Sequence, residues 1–164
     1  MEDKLQMIIQ KLRDNNETIS TMESCTGGQL VSLITNVKNA SKVLKYSAVT
    51  YSDEFKIKMG VNANTISKFT VYSDEVAREM AFAISKFTNS SYGVGITGEL
   101  TVKDDHKSYV YYAIYVKRIN KYFCDRLEMI EDNRVLNKKI VTDAIINKLS
   151  VYNILFYLLD KYSF

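Results

Sequence analysis

The sequence predicts an α/β sandwich built on a mixed β-sheet. Two observations support this prediction. Helical and β-type segments alternate from the amino terminus, which is typical of parallel strands joined by crossover helices. Residues 108–117 and 121–129 then form two adjacent β-type segments that turn at Ile119-Asn120, and such a hairpin adds antiparallel strands.

The amino-terminal part alternates helix and strand. Apolar residues at helical spacing predict a first helix that closes at Asp14-Asn15-Asn16. Residues 18–22 are rich in β-branched side chains and predict a strand, followed by a tight turn at 23–28 and a second helix. Residues 43–51 predict another strand, and Ser52-Asp53 can cap a short helix after it.

The remaining segments complete the sheet and its cover. Ser73 precedes two acidic residues and an apolar period, which predicts a helix that extends to about Asn89. Residues 92–97 predict a strand ahead of the hairpin. A last helix is predicted from about Asp132, with apolar positions broadly on one face: Val135, Ile140, Ile145 and Leu149.

Composition limits the function classes. The chain has 164 residues, 46% of them hydrophobic, and we expect one domain over residues 1–164. A net charge of +3 favours no nucleic-acid partner, and no apolar stretch is long enough to cross a membrane. Cys25 and Cys124 are far apart, which indicates reduced thiols. The amino terminus is acidic and therefore unlike a signal peptide. Together with the reduced thiols, it predicts a cytoplasmic protein.

The turn at Glu23-Ser24-Cys25-Thr26-Gly27-Gly28 is the most informative segment. A strand–turn–helix junction places Ser24 at the carboxyl edge of a sheet, where α/β folds bind ligands. Free N–H groups at the start of the following helix could hold a phosphate or an oxyanion. From these six residues alone, a purely structural helix cap at Ser24 remains an equal alternative.

A nucleophilic serine needs a base. The one histidine, His106, lies in a polar segment typical of a solvated loop, which leaves lysine or a carboxylate. Lys56 follows the second strand and would reach the same sheet edge as Ser24 if the two strands are parallel, although a solvated surface lysine is the commoner case. Cys25 is a second candidate nucleophile. No metal-ligand spacing is present.

Several segments together resemble the CinA C-terminal family, also called competence- and damage-inducible proteins. The segments lie in the family's order over nearly the whole chain: Glu23-Ser24-Cys25-Thr26-Gly27-Gly28, Val49-Thr50-Tyr51-Ser52 with Lys56, Ser73-Asp74-Glu75-Val76-Ala77, Thr97-Gly98 and Asp132-Asn133-Arg134. The spacing of Ser24, Tyr51 and Lys56 is similar to the family's Ser/Lys catalytic arrangement. Lys138 stands where a second arginine is common. The resemblance implies a three-layer α/β/α sandwich with about five strands.

The family includes nicotinamide mononucleotide deamidases, so the resemblance implies hydrolysis of nicotinamide mononucleotide to nicotinic acid mononucleotide and ammonia. The partner would be this pyridine nucleotide, and neither cofactor nor metal would be required. Ser24, Lys56, Tyr51 and Thr97 would be catalytic, with Tyr51 hydrogen-bonded within the Ser24–Lys56 dyad. Homodimers or larger homo-oligomers are common in the family. The implied substrate-binding residues are Glu23, Cys25, Thr26, Gly27, Gly28, Gly98 and Arg134.

The chain departs from the family pattern after Gly98. Glu99-Leu100-Thr101 replaces Ile-Ala-Gly in a loop expected to border the substrate, and a proline that follows in the family is also lost. A lost glycine restricts positive φ and adds a side chain near the ligand. This departure motivates an alternative function, in which the protein binds a nucleotide or a protein partner without turnover. A structural role in DNA uptake or repair rests on the family's name alone.

Overall fold

The computed structural model describes the backbone of residues 2–162 and the side chains of residues 2–151. Five strands form one mixed sheet in the order β2-β1-β3-β4-β5. Strand β1 pairs in parallel with β2 and β3, whereas β4 is antiparallel to both β3 and β5. The strands are β1 (Ile19–Glu23), β2 (Leu44–Val49), β3 (Tyr92–Gly98), β4 (Tyr109–Val116) and β5 (Lys121–Glu128).

Six α-helices lie in the described chain: α1 (Glu2–Asp14), α2 (Gln29–Thr35), α3 (Asp53–Lys58), α4 (Ala63–Phe69), α5 (Asp74–Thr88) and α6 (Arg134–Tyr162). Helices α1, α2 and α6 share the larger core with one face of the sheet, and α5 packs on the other face. The mixed sheet is therefore as the sequence pattern predicted, and the three layers and five strands are as the resemblance implied.

Helix α5 approaches β3 very closely, and this contact brings the start of α5 to the carboxyl edge of the sheet. A Cβ atom at Gly95 would lie 2.2 Å from the carbonyl oxygen of Ala77, and one at Gly93 would lie 2.0 Å from that of Ala81. Glycine on the strand facing alanine on the helix permits this distance. The segment ahead of α5 consequently lies next to the end of β3.

Two features differ from the sequence prediction. Helix α4 was not predicted, because none of its residues is fully buried and only a narrow apolar side, with the partly buried Ile66, faces the core. Helix α6 was assigned the wrong buried positions near its start. Val135 and Ile140 are exposed, while Asn137 and Val141 are buried, so the core-facing side of the helix begins with a polar residue that the apolar pattern did not mark.

Among the described helices, none combines the length and the apolar character needed to cross a membrane. Both cysteines are free thiols.

Candidate functional site

A cavity of about 230 Å³ opens at the carboxyl edge of the sheet. Its position follows from the register, since the end of β1 lies between β2 and β3, with Glu23 paired to Val49 and to Ile96. The residues that follow the three parallel strands meet there. Seven of the residues predicted for the site line the cavity: Ser24, Cys25, Tyr51, Lys56, Thr97, Gly98 and Arg134.

Ser24 is held by the backbone of the junction between β1 and α2. Its N–H donates to the carbonyl oxygen of Ile96 at 2.9 Å, which extends the β1–β3 ladder by one residue. Its carbonyl oxygen accepts from the N–H of Gly27 at 3.0 Å, which closes a turn. The residue is 8% exposed and lines the cavity, so the main chain fixes the position from which its hydroxyl group projects.

On helix α3 the charged residue Lys56 is buried while its apolar neighbour Phe55 is exposed, which is the opposite of the usual pattern. It is 1% exposed and is the single buried residue of that helix, whereas Phe55 is 54% exposed. Lysine is rarely buried without a partner. Its ammonium nitrogen Nζ lies 3.8 Å from Asp53 Oδ1, which is a long contact for an ion pair.

Burial lowers the pKa of Lys56 from its ordinary value of 10.5, and the nearby Asp53 carboxylate opposes that change. A lowered pKa increases the fraction of neutral amine near pH 7, which a general base requires. Ser24 and Lys56 line the same cavity, but no hydrogen bond joins them among the bonds of the described residues. Proton transfer between them would need direct approach or one bridging water.

Cys25 also lines the cavity, but its thiol is unsuited to nucleophilic attack. Burial raises the pKa of Cys25 to about 12, against smaller lowering effects from the backbone N–H groups of Cys25 and Thr26. Because the thiolate is the nucleophilic form of cysteine, the group is inert near neutral pH. Ser24 is the better-placed nucleophile.

The Glu23 carboxylate, which was predicted to bind substrate, instead accepts hydrogen bonds from the start of helix α2. It is fully buried, and Oε2 accepts from Thr26 Oγ1 at 2.7 Å and from the N–H groups of Gly28 and Leu30, both at 3.1 Å. Oε1 accepts from the N–H of Val31 at 2.8 Å. The expectation of free N–H groups at this helix start is therefore wrong, since an internal carboxylate occupies them.

Three further positions predicted to bind substrate do not line the cavity. Thr26 is buried and bonded to Glu23. Gly27 and Gly28 adopt positive φ values of 64° and 92°, which allow the turn between strand and helix. These residues shape the junction that carries Ser24, and in the described structure they lie outside the cavity wall.

The end of β3 supplies the wall opposite Lys56. The Thr97 hydroxyl donates to the carbonyl oxygen of Val71 at 2.7 Å, which ties the segment ahead of α5 to the strand. Gly98 has a φ of 145°, and a Cβ there would lie 2.5 Å from the carbonyl oxygen of Tyr109. Glycine is thus required by the backbone at this point, because β4 leaves no room for a side chain.

Tyr51 lies at the mouth of the cavity, away from the predicted dyad contact. It is 65% exposed, and its hydroxyl oxygen accepts from Arg134 Nη2 at 3.4 Å. Arg134 Nη1 donates to Thr101 Oγ1 at 2.7 Å. The guanidinium therefore stands between the chain after β2 and the loop after β3, with further N–H donors available for an anion.

Sequence reasoning missed three wall residues, Asp53, Val71 and Tyr72, whereas the loop Glu99-Leu100-Thr101, which was expected to border the substrate, does line the cavity. Asp53 precedes Lys56 by one helical turn, and that spacing was a usable signal. Glu99 points towards its own loop, where it contacts Lys103 Nζ at 2.5 Å and His106 Nε2 at 2.9 Å. Hydrogen bonds from these two residues lower the pKa of Glu99.

Among the described residues, no group of histidine, cysteine and acidic side chains could hold a metal ion.

Comparison with known proteins identifies the family. The family model described as the CinA C-terminal domain matches residues 1–150. This chain belongs to that family.

Curated CinA-family relatives match just over half of the chain. A CinA-like protein from Kosmotoga olearia is 45% identical over 94 residues, covering 57% of this chain and 23% of the relative. A CinA-like protein from Endomicrobium trichonymphae is 41% identical over 88 residues, covering 53% of this chain and 21% of the relative. The match thus spans less than a quarter of the length of these curated relatives.

Solved structures of CinA-family proteins share the fold over almost the whole chain. A competence-damaged protein (CinA) superfamily protein from Klebsiella pneumoniae superposes with a TM-score of 0.85 at 19% identity, covering 93% of this chain and 96% of that one. A competence or damage-inducible protein from Enterobacter asburiae gives 0.83 at 23% identity, covering 93% and 97%. At such identities the likeness establishes the fold alone.

Proposed function

We propose that this CinA-family chain is an amidohydrolase that converts nicotinamide mononucleotide and water to nicotinic acid mononucleotide and ammonia. One observation carries the proposal: a buried lysine with a lowered pKa lines the same cavity as a backbone-fixed serine. A lysine kept in such surroundings is unfavourable for the fold, and lowered lysine pKa values are found where an amine acts as a base.

In the proposed reaction, Ser24 Oγ attacks the carboxamide carbon while neutral Lys56 takes the hydroxyl proton. Lys56 then returns that proton to the departing nitrogen, which leaves as ammonia. Lys56 then takes a proton from a water molecule, whose oxygen attacks the carbonyl carbon of the acyl-serine ester. The bond from that carbon to Ser24 Oγ breaks, Lys56 returns the proton to Oγ, and the acid and the free serine are released. No redox step is involved, so neither an oxidant nor a reductant is required.

The oxyanion of the tetrahedral intermediate needs hydrogen-bond donors close to Ser24. We assign this role to the backbone N–H group of Cys25, which lines the cavity, and to that of Thr26, the next residue of the same turn; neither makes a backbone hydrogen bond within the described chain. The N–H groups of Gly28, Leu30 and Val31 are excluded, because Glu23 already accepts from them. The donors thus come from the turn itself and not from helix α2.

The nucleotide phosphate would bind at the mouth of the cavity. Arg134 is exposed there, and two of its guanidinium N–H groups contact Tyr51 and Thr101. A guanidinium has five N–H donors in a planar fork that suits phosphate oxygens. In this placement the phosphate of the ligand would lie at the solvent-exposed rim and its carboxamide against Ser24.

The decisive experiment measures ammonia release from nicotinamide mononucleotide by the purified chain. We expect turnover that Ser24→Ala reduces by about a thousandfold or more, since the nucleophile is removed. Ser32→Ala is the matched control, because Ser32 is an exposed serine on α2 away from the cavity. Cys25→Ala should keep activity within about tenfold, and its complete loss would transfer the role of nucleophile to Cys25.

Saturable binding of nicotinamide mononucleotide with no ammonia would contradict the hydrolase proposal and leave a binding protein. Full activity in Ser24→Ala would contradict the assigned mechanism.

A further inference from the structure

The side chain of Asn137 on α6 connects two segments at the rim of the cavity. The residue is fully buried, and Nδ2 donates to the carbonyl oxygen of Leu100 at 2.8 Å and to that of Glu131 at 2.7 Å. Leu100 lies in the loop after β3, and Glu131 precedes α6. One amide group therefore fixes the main chain of the loop relative to the beginning of the helix.

The same turn of α6 holds the loop a second time. Arg134, three residues before Asn137, donates to Thr101 Oγ1, and Thr101 follows Leu100 directly. Residues three apart lie on one face of a helix. Leu100 and Thr101 both line the cavity, so the loop wall and the guanidinium are positioned by one helical face.

Asn137 is not an optimal residue for stability alone. Its Oδ1 is buried and has no hydrogen-bond partner among the described residues. An unsatisfied buried acceptor is unfavourable, and an apolar side chain of similar size would avoid it. The polar residue is therefore explained by its two N–H donors and by the carbonyl groups that they hold.

We infer that Asn137 is a positioning residue for recognition of the anionic end of the ligand. It fixes Leu100 and Thr101, and through Thr101 it sets the orientation of Arg134. This inference rests on the proposed function, because it assigns Arg134 to the phosphate. Asn137 contacts no reacting atom, so its effect falls on binding and not on bond cleavage.

The test is Asn137→Leu in the full chain, compared with Asn147→Leu. Asn147 is on the same helix and accepts from Lys4 Nζ at 2.6 Å, far along α6 from the cavity. We expect Asn137→Leu to raise KM for nicotinamide mononucleotide about tenfold with kcat within about twofold, as the loss of two positioning hydrogen bonds predicts. Asn147→Leu should change neither. An unchanged KM, or a fall confined to kcat, overturns the inference.

A double variant tests whether Asn137 acts through Arg134. If it does, Asn137→Leu adds little to the KM of Arg134→Gln, because the group being positioned is already absent. Effects that multiply would overturn the inference. Thr101→Val, at an exposed position, removes the other contact without disturbing the core and should raise KM in the same direction. Thr101→Val replaces Asn137→Leu as the test variant if Asn137→Leu fails to fold. An unchanged KM in Thr101→Val overturns the inference.

Amide hydrogen exchange separates this inference from the proposed function. Asn137→Leu should speed exchange at residues 99–102, while Asn147→Leu leaves them at the wild-type rate. If the wild-type chain neither binds nor hydrolyses nicotinamide mononucleotide, the proposed function fails, and exchange alone decides whether Asn137 positions the loop. If the wild-type chain is active but the variant matches it in both KM and exchange, only the inference fails.

Discussion

The two sides of the cavity are held in place by different means. The floor, formed by Ser24, Lys56 and Thr97, is buried: Ser24 and Thr97 donate hydrogen bonds to main-chain carbonyl groups, and helix α3 carries Lys56. The rim, formed by Tyr51, Thr101 and Arg134, is exposed and held by contacts between side chains at 2.7 and 3.4 Å. Main-chain structure therefore holds the residues to which we assign catalysis. Contacts between side chains hold the residues that would meet the ligand at the rim.

This difference predicts how substitutions act. A change beneath the floor disturbs a backbone junction and should affect folding and turnover together, since buried hydrogen bonds hold it. A change at the rim should affect ligand affinity with little loss of stability, because exposed polar contacts contribute little to folding. The predictions below test the floor and are ordered by the size of the expected effect.

Glu23→Gln should have the largest effect on stability. The substitution replaces one carboxylate oxygen by an NH₂ group that cannot accept from the N–H groups around it, and we expect a loss of about 3 kcal/mol in the free energy of unfolding. Urea unfolding measures it. Glu75→Gln is the control, since Glu75 is an exposed residue in the first turn of α5, and it should change stability by less than about 0.5 kcal/mol. Equal effects would show that the floor does not depend on Glu23.

Lys56→Met should abolish turnover and still stabilise the fold. The variant fills the same buried space without a desolvated amine, and we expect a gain of about 1 kcal/mol. Lys58→Met, at the exposed lysine of the same helix that pairs with Glu54, should stay within about 0.5 kcal/mol of wild type. A clear loss of stability in Lys56→Met would mean that the amine supports the floor structurally.

The lowered pKa of Lys56 also gives the sign of a pH dependence. Between this lowered pKa and the ordinary value of 10.5, the unfolded chain binds more protons than the folded chain, so Lys56 makes stability rise with pH in that interval. Below the lowered pKa both states are protonated and the contribution of Lys56 stays constant. Lys56→Met should remove this rise, and Lys58→Met should keep it.

Asp53→Asn should give the smallest change, a shift in the pH profile of kcat. The Asp53 carboxylate raises the pKa of Lys56 against the larger effect of burial. Without it, the pKa of Lys56 falls further, and the rising limb of the profile moves to lower pH. A profile measured from pH 5 upwards, with Glu54→Gln as the exposed control on the same helix, checks this. An unmoved limb would show that another group limits the rate.

Much of the fold could be predicted from the sequence, because apolar periodicity and turn residues are local signals. The strands, the crossover helices and the late hairpin were placed close to their observed positions. Helix α4 could not be predicted, since a helix with no fully buried residue leaves only a weak periodic pattern. Val135 and Ile140 were assigned to the core because their residue types fit it, while burial in α6 depends on what packs across from each position.

The sequence by itself determined that Ser24 and Lys56 each follow a predicted strand, and it predicted a shared sheet edge on the condition that these strands are parallel neighbours, which the structure shows. Only the tertiary structure decided that Lys56 is buried beside an exposed Phe55, that Glu23 serves helix α2, and that Tyr51 faces Arg134 and not the dyad. The physical reason is that the local residue pattern determines where helices and strands begin and end. Burial and hydrogen-bond partners depend instead on groups that folding brings together from distant segments.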